Sequence, residues 1–404
     1  MRVLTWVLVI VAAGLASQLP LRISTSAWQA HLPKGAAQTL SSYLVLAGVG
    51  GAALAGVALL RQPSVGMAVA GLVGLGAAAI AGSYIQQIRL ADDALRSAFG
   101  SGWEATIPTD RRDAMLSDRW RWALPRGPDP RHDPDVVYAR LPDGRELLAD
   151  VWRPNPQVAP SGLALVYVHG GYYQLLDKDS GTRPLFRHLT RQGHVVVDLG
   201  YRLVDETDIV GMVGDVKRGI AWIKDHARSL DVDPERVVVA GASSGGNLAL
   251  LAAYTPGHPL LTPDGLVSDT SVRAVVSYYG VHDFPVFAQL PGDDDLLSRL
   301  LGDSYERAPG RYELGSPVHH VSDTAPTTLL VQGLHDQPHL IDAGRDLAAA
   351  LDGAGVRVAN VELPATDHAF DLILGQVSAP GMAALYDLER FLAVVAHESR
   401  TSTS

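Results

Sequence analysis

The chain has no cysteine among its 404 residues. That excludes disulfides, thiolate catalysis and cysteine-ligated zinc or iron–sulfur sites, and it suits either side of a membrane. Lysine is scarce too, with 4 against 29 arginines. Charged residues of both signs make up 19% of the chain, where about 25% is usual for a soluble domain. The formal net charge is −10, so the basic footprint of a nucleic-acid-binding protein is missing. The most telling absence is local. From Met1 to Ala91 there is neither Asp nor Glu. Residues 1–100 hold six Lys/Arg and two acids, a balance of +4, whereas the remainder holds 27 against 41, or −14.

Three uncharged runs fill the first part: Val3–Leu19, Leu40–Leu60 and Val65–Ile85, of 17, 21 and 21 residues. A bilayer core of roughly 30 Å takes about 20 apolar residues in a helix. The second and third runs meet that length. Only Arg61-Gln62-Pro63-Ser64 separates them, which predicts an antiparallel helical hairpin. Small residues recur every four positions, at Gly48, Ala52 and Gly56 and at Ala70, Gly74, Ala78 and Gly82. Such stripes let membrane helices approach closely. The first run reads as a further transmembrane helix, with a cleaved signal peptide as the alternative. Residues 1–90 are thus expected to form an anchor of about three helices. Arg22, Lys34, Arg89 and Arg96 would lie on one side, and Arg2 and Arg61 on the other. The positive-inside rule then leans to a cytoplasmic catalytic domain in a bacterial cell membrane, and a cleaved signal peptide would reverse that. Residues 91–133 form a junction in which Trp103, Trp120 and Trp122 lie among arginines. Trp near basic residues suits a headgroup interface, and a cap over the following domain is the equal alternative. Pro125–Pro134 reads as the linker.

From residue 134 to 398 the pattern changes. Val136–Leu141 and Glu146–Trp152 flank Asp143-Gly144, a hairpin signal. Short apolar runs at Leu163–Val168, His194–Leu199, Arg236–Ala240, Val272–Tyr279, Thr327–Val331 and Val356–Leu363 then alternate with stretches of helical periodicity, such as Val213–Leu230. This order predicts an α/β fold with a mostly parallel sheet flanked by helices.

The chemistry concentrates at Gly241-Ala242-Ser243-Ser244-Gly245, a G-x-S-x-G that follows a β-branched strand and opens a helix. A nucleophile at such a turn has a strained backbone and needs small neighbours. Ser243 is the candidate nucleophile. His169-Gly170-Gly171 ends another strand. Glycines there free the amides of Gly170 and Gly171, with that of Ser244, to hold an oxyanion. Asp336 follows the strand Thr328–Val331, at the strand end where sites form in open α/β sheets, and His368 follows the last strand. They are the candidate acid and base, with Asp283 the runner-up acid. Tyr172, Tyr173 and Phe284 are candidates for the substrate pocket. His335 and His339 flank the acid and could line the entrance. No histidine shows metal-ligand spacing, and the chemistry calls for no cofactor.

These motifs, together with Tyr201-Arg202-Leu203, Asp233-Pro234-Glu235-Arg236, Gly333-Leu334-His335-Asp336 and Asp367-His368-Ala369-Phe370, resemble the α/β-hydrolases of the hormone-sensitive-lipase-like and carboxylesterase group. The resemblance runs from about Val136 to Glu398 and leaves the first 130 residues uncovered. It implies a serine hydrolase that cleaves small-molecule or lipid esters through an acyl-enzyme. Two positions depart from the family pattern: Tyr172, where a third glycine is common, and Ala242, where Asp or His is common. His169-Gly170-Gly171-Tyr172 also resembles the arylformamidase branch, so amide-type substrates stay open beside esters. A catalytically silent membrane scaffold on the same fold is the alternative from another class.

Overall fold

The computed structural model describes residues 1–23, 28–289, 294–372 and 374–397. The sheet has eight strands: β1 (Arg131–Arg140), β2 (Glu146–Arg153), β3 (Ala164–Val168), β4 (Val195–Leu199), β5 (Val237–Ala242), β6 (Ala274–Tyr278), β7 (Thr327–Gly333) and β8 (Val358–Leu363). Their order is β1-β2-β4-β3-β5-β6-β7-β8. β2 pairs antiparallel with β1 and with β4, and the rest of the sheet is parallel. The protein therefore has an α/β-hydrolase architecture. β3, β4, β5 and β6 are buried along their whole length, which is why they read as largely apolar runs, interrupted by Asp198 in β4 and Ser277 in β6: helices cover both of their faces. The stretch expected to be a linker instead enters β1. That strand lies at the sheet edge and is irregular between Asp133 and Val136, where Pro134 removes no needed ladder bond.

The part before the sheet opens with α1 (Arg2–Ala16), α2 (Trp28–Thr39), α3 (Ser41–Arg61) and α4 (Val65–Arg89), and short helical turns follow in the junction. The expected antiparallel hairpin is α3 and α4. A side chain at Gly48 would run into the Gly74 carbonyl and Ala78, and one at Gly74 into the Gly48 carbonyl, so this part of the small-residue stripe sets the approach of the two helices. Gly56 and Gly82 face open space, so the stripe does not continue to them. The expectation of three spanning helices is corrected. α1 has 15 residues, about 22 Å at 1.5 Å per residue, short of a bilayer core. Among the described residues two helices are long and apolar enough to cross. α2 was not anticipated; it carries Pro33 and Gly35 and few apolar residues.

Along each strand, alternate side chains enter two cores. On one side Val166, Val197 and Val239 pack with α5 (Ile209–Asp225), α6 (Ser244–Tyr254) and α7 (Pro338–Gly353). On the other, Leu165, Val196 and Val238 pack with α8 (Ala379–His397). This second core runs without a break into the N-terminal part. It takes in Tyr84, Ile85 and Ile88 from α4 and Leu95, Trp103, Ile107, Met115 and Leu116 from the junction. The junction is bound by polar contacts as well. The Leu116 amide donates to the Glu389 carboxylate (2.6 Å) and Arg119 pairs with Asp387 (2.9 Å). Arg111 donates to the carbonyls of Ala159 (3.1 Å), Pro160 (3.0 Å) and Gln192 (2.7 Å). Trp103 is buried, Trp120 donates to Ser42 on α3 (2.8 Å) and Trp122 is exposed. Leu95, Trp103, Ile107, Arg111, Met115, Leu116 and Arg119 thus hold the junction against the rest of the molecule.

Candidate active site

Ser243 lies between β5 and α6 with φ 55° and ψ −121°, a left-handed region costly for a side-chain-bearing residue. Its neighbours explain how the turn survives. A Cβ on Gly241 would overlap the Gly245 carbonyl, and one on Gly245 would overlap the carbonyls of Val168 and His169. Glycine at both positions lets the end of β3 and the start of α6 close around the serine. The Ser243 amide donates to the Tyr278 carbonyl (2.8 Å), so the turn is also bonded to the end of β6.

Gly170 packs against this turn, with its open Cβ position 3.3 Å from Ser243 Cβ. His169 is buried; its Nδ1 lies 2.7 Å from the Gly170 carbonyl, and Tyr201 stacks on its ring at 4.4 Å and donates to its carbonyl (3.0 Å). Burial pushes its pKa down, so the neutral imidazole donates to Gly170 and fixes the shape of the glycine turn. Ser244 is the buried first residue of α6, which leaves its amide among the unpaired donors of a helix start.

His368 joins the other two candidates. Its Nε2 is 3.0 Å from Ser243 Oγ and its Nδ1 is 2.8 Å from Asp336 Oδ2. Asp336 is buried. The same Oδ2 accepts from Gln332 Nε2 (2.7 Å), and Oδ1 accepts from the Gln337 amide (2.7 Å). Burial works to raise the Asp336 carboxyl, but His368 and these donors outweigh it and hold it below the ordinary carboxylate value. For His368 burial pulls downward, and Asp336, Asp371 and Asp367 together outweigh it, so its pKa is raised above 6.5. The Tyr279 ring lies 4.5 Å from the imidazole, and the Tyr279 hydroxyl is hydrogen-bonded to Asp371.

Asp283 is placed elsewhere: it caps the one-turn helix Phe284–Phe287 and accepts from the Val286 amide (3.3 Å). Of the three pocket candidates, Tyr173 and Phe284 are buried in the core with ring centroids 6.1 Å apart, and Tyr172 alone is exposed. His335 is partly exposed, and its Nδ1 lies 2.7 Å from Lys34 Nζ on α2. Sequence reading missed Gln332, Tyr279, Asp371 and Lys34. Gln332 sits four residues before the acid on a buried strand end, which is a usable signal. Lys34 lies in a short polar stretch between two apolar runs and gives none.

The BD-FAE family model matches residues 149–351, and the chain belongs to that family of α/β-hydrolases. It is similar to the probable carboxylic ester hydrolase LipM of Mycobacterium tuberculosis, 33% identical over 76% of this chain and 73% of that protein. Esterase LipQ of the same organism is 31% identical over 69% of this chain and 68% of its own. Among solved structures, a truncated carbohydrate esterase from gut microbiota superposes with a TM-score of 0.57 at 21% identity, covering 67% of this chain and 98% of its own. The apo form of Thermogutta terrifontis esterase 2 does so with 0.53 at 23% identity, covering 65% and 93%. At those identities the structures speak for the fold alone.

Proposed function

We propose that this chain is a membrane-anchored serine hydrolase that cleaves carboxylic esters through an acyl-enzyme. The observation that carries the reading is the imidazole of His368, within hydrogen-bond distance of Ser243 Oγ on one side and Asp336 on the other. A serine hydroxyl is a weak nucleophile at its own pKa, so it needs an adjacent base. His368 takes the Ser243 proton as Oγ attacks the ester carbonyl. Asp336 holds the imidazole in the tautomer that presents Nε2 to the serine and stabilises the imidazolium. The amides of Gly170, Gly171 and Ser244 hold the tetrahedral oxyanion. His368 then protonates the departing alcohol, and water attacks the acyl-enzyme by the same route. The ester hydrolases and esterases among its relatives favour esters over amides.

The anchor reading is supported by α3 and α4, which are long enough to span, and by the large apolar side chains they leave uncovered, among them Leu46, Leu60, Val65, Leu72 and Leu75. Exposed apolar surface on that scale marks an interaction site, and lipid is the solvent that such helices match. A fluorophosphonate tests the reading: Ser243 Oγ should displace fluoride, and peptide mass analysis of labelled membranes should find the adduct on Ser243. An adduct confined to another residue, or recovery of the protein in the soluble fraction of lysed cells, would count against the corresponding half of the proposal.

A further inference from the structure

α2 presents polar residues at positions 31, 34 and 38, three and four apart and so on one face of the helix. That face meets the loops on either side of the acid and the base. Lys34 is fully buried, an expensive place for an ammonium unless it is paired. Its Nζ lies 2.7 Å from Asp367 Oδ1 and 2.7 Å from His335 Nδ1. His31 Nδ1 is 3.5 Å from Asp367 Oδ2, and Gln38 Nε2 donates to the Ala365 carbonyl (3.0 Å). Asp367 immediately precedes His368, and His335 immediately precedes Asp336. The two loops are also joined to each other, since the His335 amide donates to the Thr366 carbonyl (2.8 Å).

We infer that Lys34 is a positioning residue for the hydrolase: from α2 it ties the loop of the acid to the loop of the base, and it neutralises the carboxylate next to the catalytic imidazole. The inference rests on the serine-hydrolase reading above. Two consequences follow. A loosened tie lets His368 and Asp336 drift from Ser243, and displacement of about 1 Å in a reacting group can cost roughly 10²-fold in rate. An unneutralised Asp367 adds negative charge beside His368, which favours the imidazolium. The groups facing His368 are Asp336 and His339 from the β7–α7 region, Asp367 and Asp371 from its own loop, Tyr279 after β6 and Ser243 after β5. Those facing Lys34 are Asp367, His335 and Arg22. Of the charged groups around His368, Asp367 is the one that Lys34 contacts.

The test uses the full-length protein in detergent or vesicles, with a short p-nitrophenyl ester as substrate. Lys34→Met should lower kcat by roughly 10–100-fold, leave KM nearly unchanged and move the acid limb of the pH profile upward. Asp367→Asn leaves the ammonium behind and should move that limb downward. Lys34→Met with Asp367→Asn should return the limb to its wild-type position. Should Lys34→Met fail to fold, Asp367→Asn and the double variant still report the limb. An acid limb that stays put in every folded variant, or a loss of stability with unchanged kcat, overturns the inference. Ser243→Ala run in parallel separates the two levels. If it keeps full activity the serine-hydrolase reading fails, whereas if it is inactive while the Lys34 and Asp367 variants behave as wild type, only the inference fails.

Discussion

The Tyr84 hydroxyl and Thr366 Oγ1 share a hydrogen bond of 3.2 Å across 282 residues of sequence. Tyr84 belongs to the last turns of α4, and Thr366 stands two residues before His368. The apolar helical part therefore touches the loop that carries the candidate base. Around this bond the core is continuous from α4 through the junction to α8.

Truncation should expose that continuity. A separate domain would tolerate removal of everything before Pro130. Here such a chain loses Trp103, Ile107, Met115 and Leu116 from the core and uncovers the face of α8 that they bury. It is expected to aggregate. A chain starting at Ala91 keeps the junction and loses Tyr84 and Lys34, which removes the contacts on the loop of His368 and leaves Asp367 without its ammonium partner. It should fold less stably and hydrolyse short esters at least tenfold more slowly than the full-length protein. Size-exclusion chromatography and initial rates check both outcomes.

The acid assignment separates two carboxylates. Asp336→Asn should lower kcat by roughly 10²–10⁴-fold, because the amide can stabilise the wrong tautomer of His368. Asp283→Asn keeps a helix-capping side chain and should leave kcat within about twofold. Reversed effects would move the acid to Asp283.

The pH dependence has a definite sign. His368 must be neutral to accept the serine proton, and its pKa is raised above 6.5 because its neighbouring carboxylates outweigh burial. kcat/KM should therefore fall as pH drops through a limb above 6.5. In Asp336→Asn the strongest raising influence is gone and burial pulls the imidazole down, so the residual activity should hold to lower pH than in the wild type.

The serine turn makes a stability prediction independent of activity. Gly245→Ala forces a methyl group into the carbonyls of Val168 and His169. Overpacking of this kind costs about 1–3 kcal/mol, and α6 cannot retreat because it starts at the turn. Denaturant unfolding should register the loss, while Gly257→Ala, at a site with open space, should not.

Much of this molecule was legible in its residues because buried parallel strands leave a strong mark. Ala164–Val168 and Val237–Ala242 are apolar runs bounded by turn residues, and the glycines around Ser243 signal its turn. The antiparallel hairpin of α3 and α4 was legible from length and a short polar break. α2 was not, because its polar face is buried by long-range pairing with residues about 300 positions away, and helical periodicity reports apolar faces. The packing of the junction was half legible: arginines beside tryptophans suit a headgroup region and a packed segment equally well, and the pairing of Arg119 with Asp387 and the burial of Trp103 depend on residues far along the chain. Asp283 looked like an acid from its place after a strand, yet a helix start downstream claims its carboxylate.

The most direct measurement is the turnover of a short p-nitrophenyl ester by Ser243→Ala in the full-length, folded protein. Expected is a loss of at least about 10⁴-fold in kcat, together with complete loss of fluorophosphonate labelling and unchanged circular dichroism, since removing the nucleophile leaves only the oxyanion amides and binding. Turnover and labelling at wild-type levels in that variant would contradict the assignment of Ser243, and with it the roles given to His368 and Asp336.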